Sequence, residues 1–305
     1  MLTYTTAFHQ LCQALQPMYD AREAAAIADQ YLTHLTGTDK LKRIVERDTQ
    51  FTPAQETLWT EAKEQFTAGK PLQYVIGTAW FMGREFSVNE HVLIPRPETE
   101  ELVEWIIKDY RGKKDITLVD IGTGSGCIAI SLKLGLGGLV RNRTQDPQLP
   151  KLMLLKDSIV IRALDISAEA LIVANKNAEN LQAVIVFQQL DILDEGQWST
   201  TGKYDVIVSN PPYIPVSEQE HMHTNVKDNE PVIALFVPNE DPLLFYKAIA
   251  QYGKAHLKPN GAIYCELHMS HAHQTAEMFS QVGYMQVQVK DDMHGNPRML
   301  KAVFQ

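Results

Sequence analysis

The spacing of apolar and polar positions changes twice along the chain. Over residues 1 to about 69 the apolar positions recur at helical spacing. Leu58, Trp59, Ala62 and Phe66 form one such row, closed by Gly69. Thr52-Pro53-Ala54-Gln55 opens that helix with a cap, a proline at the first helical position and a glutamine at the third. Asp20 and Glu23 have the same cap spacing ahead of an Ala-rich helix that ends near Gly37, and a short helix is expected from Thr38 to Arg47. Residues 70–95 read as extended. Leu72 to Phe81 and Glu85 to Ile94 flank a turn at Met82-Gly83-Arg84, so a β-hairpin linker is expected there. A helix then starts at Pro97 and runs to about Tyr110. Glu98, Glu100 and Glu101 lie in its first turn, where negative charge suits the helix dipole.

From Ile116 strands and helices alternate. Ile116–Ile121, Ser158–Leu164, Val184–Gln188, Tyr204–Val208 and Ala262–Leu267 are expected strands, and helices are expected from Ser125, Ser167, Pro242 and Ser270. Tyr284–Lys290 and Arg298–Phe304 surround His294-Gly295-Asn296-Pro297 and read as a closing hairpin. This alternation predicts an α/β fold with a mostly parallel sheet and helices on both faces. The expected domains are a helical docking domain over 1–69, the hairpin over 70–95 and a catalytic domain over 96–305. Two stretches lack periodicity: 135–157, a long loop between the first two strands, and 214–241, with Pro215, Pro231 and Pro238, a substrate loop or lid.

Composition narrows the partners. At 305 residues and 45% apolar content the chain can build a sizeable core. A net charge of −9 argues against a nucleic-acid binder. Cys12, Cys127 and Cys265 are too far apart for a CxxC motif, which suits reduced thiols and the cytoplasm. The start, Met1-Leu2-Thr3-Tyr4-Thr5, has no signal-peptide pattern, and no apolar run approaches the ~18 residues of a membrane span.

The chemistry concentrates at two strand ends. Asp120-Ile121-Gly122-Thr123-Gly124-Ser125-Gly126 follows the first strand. Its spacing is G-x-G-x-G, and an acid at the strand end would repel a diphosphate, so a cationic ligand fits better than a dinucleotide. S-adenosylmethionine, with its ammonium and sulfonium, is the expected cofactor. Asp165 ends the second strand, where an acid accepts from ribose hydroxyls, and Asp191 follows the third, in reach of an adenine amine, with Ile192 beside it. Ser209-Asn210-Pro211-Pro212-Tyr213 ends the fourth. Two prolines cannot continue a central strand, so Asn210 is left at the sheet's carboxyl edge. An amide or aromatic amine is a weak nucleophile that needs aiming and hydrogen-bond acceptors. The Asn210 side-chain oxygen and the Pro211 carbonyl are those acceptors, with Tyr213 expected to lie against a flat substrate. Asn210, Pro211 and Tyr213 are therefore the expected catalytic residues. Asn210 also borders the cofactor, and Pro212 and Arg96 line the substrate side. Methyl displacement needs no metal, and no metal or nucleophile role is expected of His268, His271, His273 or Cys127.

Together these motifs resemble class I S-adenosylmethionine-dependent methyltransferases, whose Rossmann-like fold the resemblance therefore implies. Leu93-Ile94-Pro95-Arg96-Pro97-Glu98-Thr99-Glu100, Asp165-Ile166-Ser167, Glu230-Pro231 and Lys290-Asp291 are similar to the protein-glutamine N5-methyltransferases of bacterial release factors, over essentially the whole chain. The resemblance implies as acceptor the glutamine of a Gly-Gly-Gln loop in class-one release factors, with S-adenosylhomocysteine as product. A monomer is expected, and the acidic balance and short apolar runs argue against a direct nucleic-acid or membrane partner. The chain departs from that pattern in the long gap between Gly126 and Asp165, in Phe236-Val237-Pro238-Asn239-Glu240-Asp241, and in Glu266-Leu267-His268-Met269. Rival readings are a ribosomal-protein glutamine methyltransferase, a DNA or RNA adenine N6-methyltransferase, and a non-enzymatic protein that retains the cofactor site.

Overall fold

The computed structural model describes residues 2–137 and 159–305. They form two compact units, residues up to Thr78 together with Met222–Glu230, and Ala79–His221 together with Pro231–Gln305.

The first unit is helical: α1 (Tyr4–Leu15), α2 (Ala21–Thr36), α3 (Lys40–Val45), α4 (Pro53–Thr67) and α5 (Leu72–Ile76). The local signals act as the sequence suggests. Asp20 accepts from the N–H groups of Arg22 and Glu23, Thr52 and Gln55 form a reciprocal capping box, and Gly37 ends α2 in the left-handed region. Leu11, Leu15, Ala28, Leu32, Trp59 and Phe66 fill the core. One expectation is corrected here. Leu72–Ile76 is a helical turn, because Pro71 opens it, Gly77 closes it at φ 82°, and Leu72 and Tyr74 are buried by the curl. The helical unit therefore runs through residue 78, and 222–230 completes it. The Asn225 amide donates to Tyr19 (3.1 Å) and the Asn229 amide donates to the Gly69 carbonyl (3.1 Å).

The second unit opens with a two-stranded sheet of β1 (Thr78–Phe81) and β2 (Arg84–Ser87). Met82 and Gly83 both have positive φ, as a type I′ turn requires. The extended segment expected to reach Ile94 ends at Ser87. There follow α6 (Pro97–Tyr110), β3 (Ile116–Ile121), α7 (Cys127–Leu136), β4 (Ile159–Asp165), α8 (Ala168–Asn180), β5 (Val186–Gln189) and β6 (Tyr204–Ser209). The expected loop over 135–157 lies, from residue 138, outside the described residues, as does Ser158. Beyond β6 come β7 (Ile214–Pro215), α9 (Thr224–Lys227, counted with the helical unit), α10 (Val232–Leu235), β8 (Phe236–Val237), α11 (Leu244–His256), β9 (Leu257–Glu266), α12 (Ala272–Val282), β10 (Met285–Asp291) and β11 (Pro297–Val303).

The main sheet has seven strands in the order β10-β11-β9-β6-β3-β4-β5. The inner pairs are parallel, and β11 is antiparallel to both β9 and β10. Side chains alternate between two cores. Leu118, Val206, Val208 and Tyr264 face the α6 and α7 side chains Leu102, Ile106, Ile128 and Ile130. Val119, Ile121, Ile207 and Ile263 face those of α11 and α12, Tyr246, Ile249, Ala272 and Phe279. Among the described residues no helix is long and apolar enough to cross a membrane.

One buried side chain on α8 ties the small sheet to the loop after β3. Asn177 is 1% exposed. Its Oδ1 accepts from the Ser87 N–H (2.7 Å), and its Nδ2 donates to the carbonyls of Ser87 and Ser125 (both 2.9 Å). Asn177→Ala strands those backbone groups and should destabilise the fold by about 2–4 kcal/mol, read from denaturant unfolding midpoints.

Candidate active site

Register builds the site. Ile121 at the end of β3 is level with Leu164 on β4 and Ser209 on β6, and Ser209 is level with Cys265 on β9. The strands therefore release the glycine loop, Asp165, Asn210 and Glu266 along one edge of the sheet. The Ser209 hydroxyl donates to the Ile121 carbonyl (2.7 Å) and locks two of these ends together.

A cavity of about 240 Å³ opens at this edge. Gly122, Thr123, Gly124, Ser125, Asp165, Asp191, Ile192, Asn210, Pro211, Pro212 and Arg96 line it, so most of the residues expected from the sequence come together. Gly122 and Thr123 each donate a backbone N–H to the Leu164 carbonyl (2.9 Å), and Gly124 N–H donates to Asp165 Oδ2 (2.8 Å). The glycines divide by role. Gly122 and Gly124 have φ of 71° and 52°, and a Cβ on either would meet nothing within 4 Å. Gly126 is a packing glycine: its Cβ would lie 3.1 Å from Ile130 Cδ1 and 3.2 Å from Ala174 Cβ. The open space above Gly122 and Gly124 fits a ligand pressed against the backbone.

Asp165 Oδ1 accepts from Ser167 N–H (2.9 Å), and burial pushes its carboxyl up. With one backbone bond on each oxygen, it keeps lone pairs for hydroxyls. Asp191 is held by Leu193 N–H, which donates to its Oδ1 (2.8 Å), and it donates its own N–H to the Gln197 side chain (3.1 Å). Leu190, Ile192, Leu193 and Ile166 supply an apolar wall between the two acids, suited to a flat ring. Apart from Ile192 the sequence reading missed this wall. Its signal was the apolar neighbours of each acid.

Besides Gly126, which is also outside the lining, two expected site residues are placed differently. Asp120 does not line the cavity. It is still inside β3, level with Ala163 and Val208, and is wholly buried beneath the loop, where the Thr123 hydroxyl donates to its Oδ2 (2.7 Å). Burial, with Asp165 nearby, pushes its carboxyl up to about 7. Tyr213 is also outside the lining. Its hydroxyl donates to Glu266 Oε1 (3.0 Å), and its ring meets His268 edge-on at 5.8 Å.

Two residues that the sequence reading did not place in the site complete it. Thr99, third residue of α6 and 2% exposed, donates its hydroxyl to Glu266 Oε2 (2.5 Å), and Asn210 Nδ2 donates to Thr99 Oγ1 (3.2 Å). Glu266 is 1% exposed. Its carboxyl is raised by burial, against the lowering effect of its two hydroxyl donors and Arg298.

Glu218, His268 and His271 also converge, without His273. His268 Nδ1 accepts from the Ser270 N–H (3.3 Å), so its proton sits on Nε2, facing Glu218 Oε2 at 3.2 Å. That tautomer makes a hydrogen-bonded pair of the two. Cys127 is buried, and its thiol is pushed up to about 12, the reverse of an activated nucleophile.

A family model described as a methyltransferase domain matches residues 112–296, and one described as the PrmC N-terminal domain matches residues 6–77. The release factor glutamine methyltransferase of Bacteroides thetaiotaomicron is 38% identical over 290 residues, 95% of this chain and 96% of that protein. The one from Flavobacterium psychrophilum is 36% identical over 301 residues, 97% of each. Among solved structures, a release-factor-specific protein-(glutamine-N5) methyltransferase from Alicyclobacillus acidocaldarius aligns with a TM-score of 0.40 at 23% identity, over 72% of this chain and 99% of that one. With relatives matched nearly end to end, through the helical unit and the sheet alike, this chain belongs to the family of release factor glutamine methyltransferases.

Proposed function

We propose that the chain methylates the side-chain nitrogen of a glutamine in a bacterial class-one release factor, using S-adenosylmethionine. The observation that carries this reading is the placement of Asn210 and Pro211 on the lining of the cavity that also holds the glycine loop and the two acids. The family of the chain supplies the substrate class. Asp165 takes the ribose hydroxyls, Asp191 the adenine amine, and the open floor at Gly122 and Gly124 the methionine part. When bound, the cofactor supplies an electrophilic methyl on a sulfonium.

Everything else falls to the protein. Asn210 Oδ1 and the Pro211 carbonyl accept the two hydrogens of the acceptor NH₂. That fixes the nitrogen in line with the methyl, and it places negative dipoles where the nitrogen becomes positive. The proton leaves afterwards to water, so no strong base is needed. Arg96, on the rim, contacts the protein substrate, and the unit made by residues 1–78 and 222–230 is its docking element. Asp120 puts a buried acid under the floor, and a cationic ligand above it would favour the charged form that burial disfavours.

Labelled cofactor incubated with release factor, a large-subunit ribosomal protein or DNA should label the release factor. Label in DNA alone would overturn the reading. Asn210→Ala should lower kcat by about 100-fold or more while leaving cofactor affinity largely intact.

The glycines give a second outcome, read by calorimetric titration with S-adenosylhomocysteine. Gly122→Ala places a methyl in the ligand space and should weaken binding. Gly126→Ala strikes Ile130 and Ala174 and should chiefly lower thermal stability.

Asp120 gives a third. Its folded value of about 7 stands above the ordinary 3.8, so between those values the folded protein holds a proton that the unfolded chain has lost. Its contribution to stability therefore falls as pH rises from about 4 to about 7, and is flat above. Asp120→Asn should be more stable than the parent in unfolding experiments at pH 8, and the difference should shrink toward pH 5.

A further inference from the structure

Asn210 works only in one orientation. Its Oδ1 must face the acceptor, and a flip of the amide would present two donors to an NH₂ group that needs acceptors. Nothing in the Asn-Pro-Pro-Tyr corner itself fixes that choice. We infer that Thr99 and Glu266 are positioning residues that set the orientation of the Asn210 amide through a buried relay of hydrogen bonds. The inference rests on the methyl-transfer reading and extends it to residues on two other elements.

A hydroxyl has one proton. Thr99 donates its proton to Glu266 Oε2 at 2.5 Å. Only lone pairs are then left on Oγ1 to meet Asn210, and they accept from Nδ2 at 3.2 Å. Were the amide turned over, Oδ1 would face those same lone pairs and repel them. The carboxylate of Glu266 thus fixes the direction of the Thr99 hydroxyl, which in turn holds the nitrogen of Asn210 away from the acceptor and its oxygen toward it.

The other carboxylate oxygen is used as well. Tyr213 donates to Oε1 at 3.0 Å, so one acid holds both ends of the corner. Little of the relay is exposed: Thr99 and Glu266 are 2% and 1% exposed, and Thr99 meets the cavity only at its edge with Asn210. The backbone of Glu266 is itself fixed, since Tyr246 donates to its carbonyl at 2.9 Å.

The arrangement also accounts for residue types. Pro97 at the first position of α6 starts the helix so that its third residue, Thr99, turns inward, while Glu100 and Glu101 bind the Met82 and Met293 N–H groups. The Arg-Pro-Glu-Thr-Glu stretch reads from its acids as a charged helix start. Its buried threonine carries the connection to the site.

The test uses the full-length enzyme with release factor and labelled cofactor, after wild-type turnover is established. If the wild type does not methylate the release factor, the functional reading fails. The following outcomes bear on the relay alone. Thr99→Val keeps the shape and removes the hydroxyl. It should lower kcat by about 10- to 100-fold, with KM for the release factor and the dissociation constant for S-adenosylhomocysteine changed less than about threefold. Thr99→Ser restores the hydroxyl and should recover most of the rate. Glu266→Gln should show a similar kcat loss, and the double variant Thr99→Val/Glu266→Gln should be no slower than the slower single variant, because both break one relay. A Thr99→Val enzyme within threefold of wild-type kcat would overturn the inference. So would a loss that appears in cofactor binding, a Thr99→Ser variant as slow as Thr99→Val, or additive losses in the double variant.

Discussion

The place where β6 stops governs this molecule. Pro211 and Pro212 have no N–H to give a neighbouring strand, so the ladder ends at Ser209, opposite Ile121 on one side and Cys265 on the other. Every polar group of the site is then set by how far each neighbouring strand runs past that point. β3 yields to the glycine loop one residue later. β9 runs one residue further and places Glu266 beside the corner. The Ser209 hydroxyl, bonded to the Ile121 carbonyl, keeps the two central strands from slipping. A slip of one residue would turn every inward side chain outward, so the two cores enforce the same register.

The acids around the cavity differ in what burial asks of them. Asp165 is within reach of a ligand and holds the loop through Gly124. Asp120 lies under the floor and supports Thr123. Glu266 never meets the cavity and acts through hydroxyls. Burial raises the carboxyl of all three. Each has at least one donor aimed at it, which is how a buried acid is tolerated.

Much of this was legible in the chain, for reasons that are local. A cap, a proline and a glycine act within a few residues, so α2, α4 and the limits of α6 follow from Asp20, Gly37, Thr52 and Pro97. The parallel core follows from apolar runs that alternate with helices, and Asp165 and Asn210 from their places at strand ends. The relay was not legible, because Thr99 and Glu266 are 167 positions apart and each has an ordinary local role. Asn177 was hidden the same way, 90 positions from Ser87. Asp120 looked like a ligand-facing acid because sequence marks a strand's end only to within a residue, and one residue decides whether a side chain points over the edge or under it. Leu72–Ile76 looked extended because five apolar and polar residues are too few to show a period.

The helical unit is built from two pieces of chain, and the first two-thirds of the catalytic unit lies between them in sequence. On the ribosome α1 to α5 emerge ahead of the catalytic sheet, but Asn225 and Asn229, which bond to Tyr19 and Gly69, emerge only after β6. This unit is thus finished late, after the four parallel strands β3 to β6 are available. Its last contacts are formed only by a nascent chain that has already passed the Asn-Pro-Pro-Tyr corner.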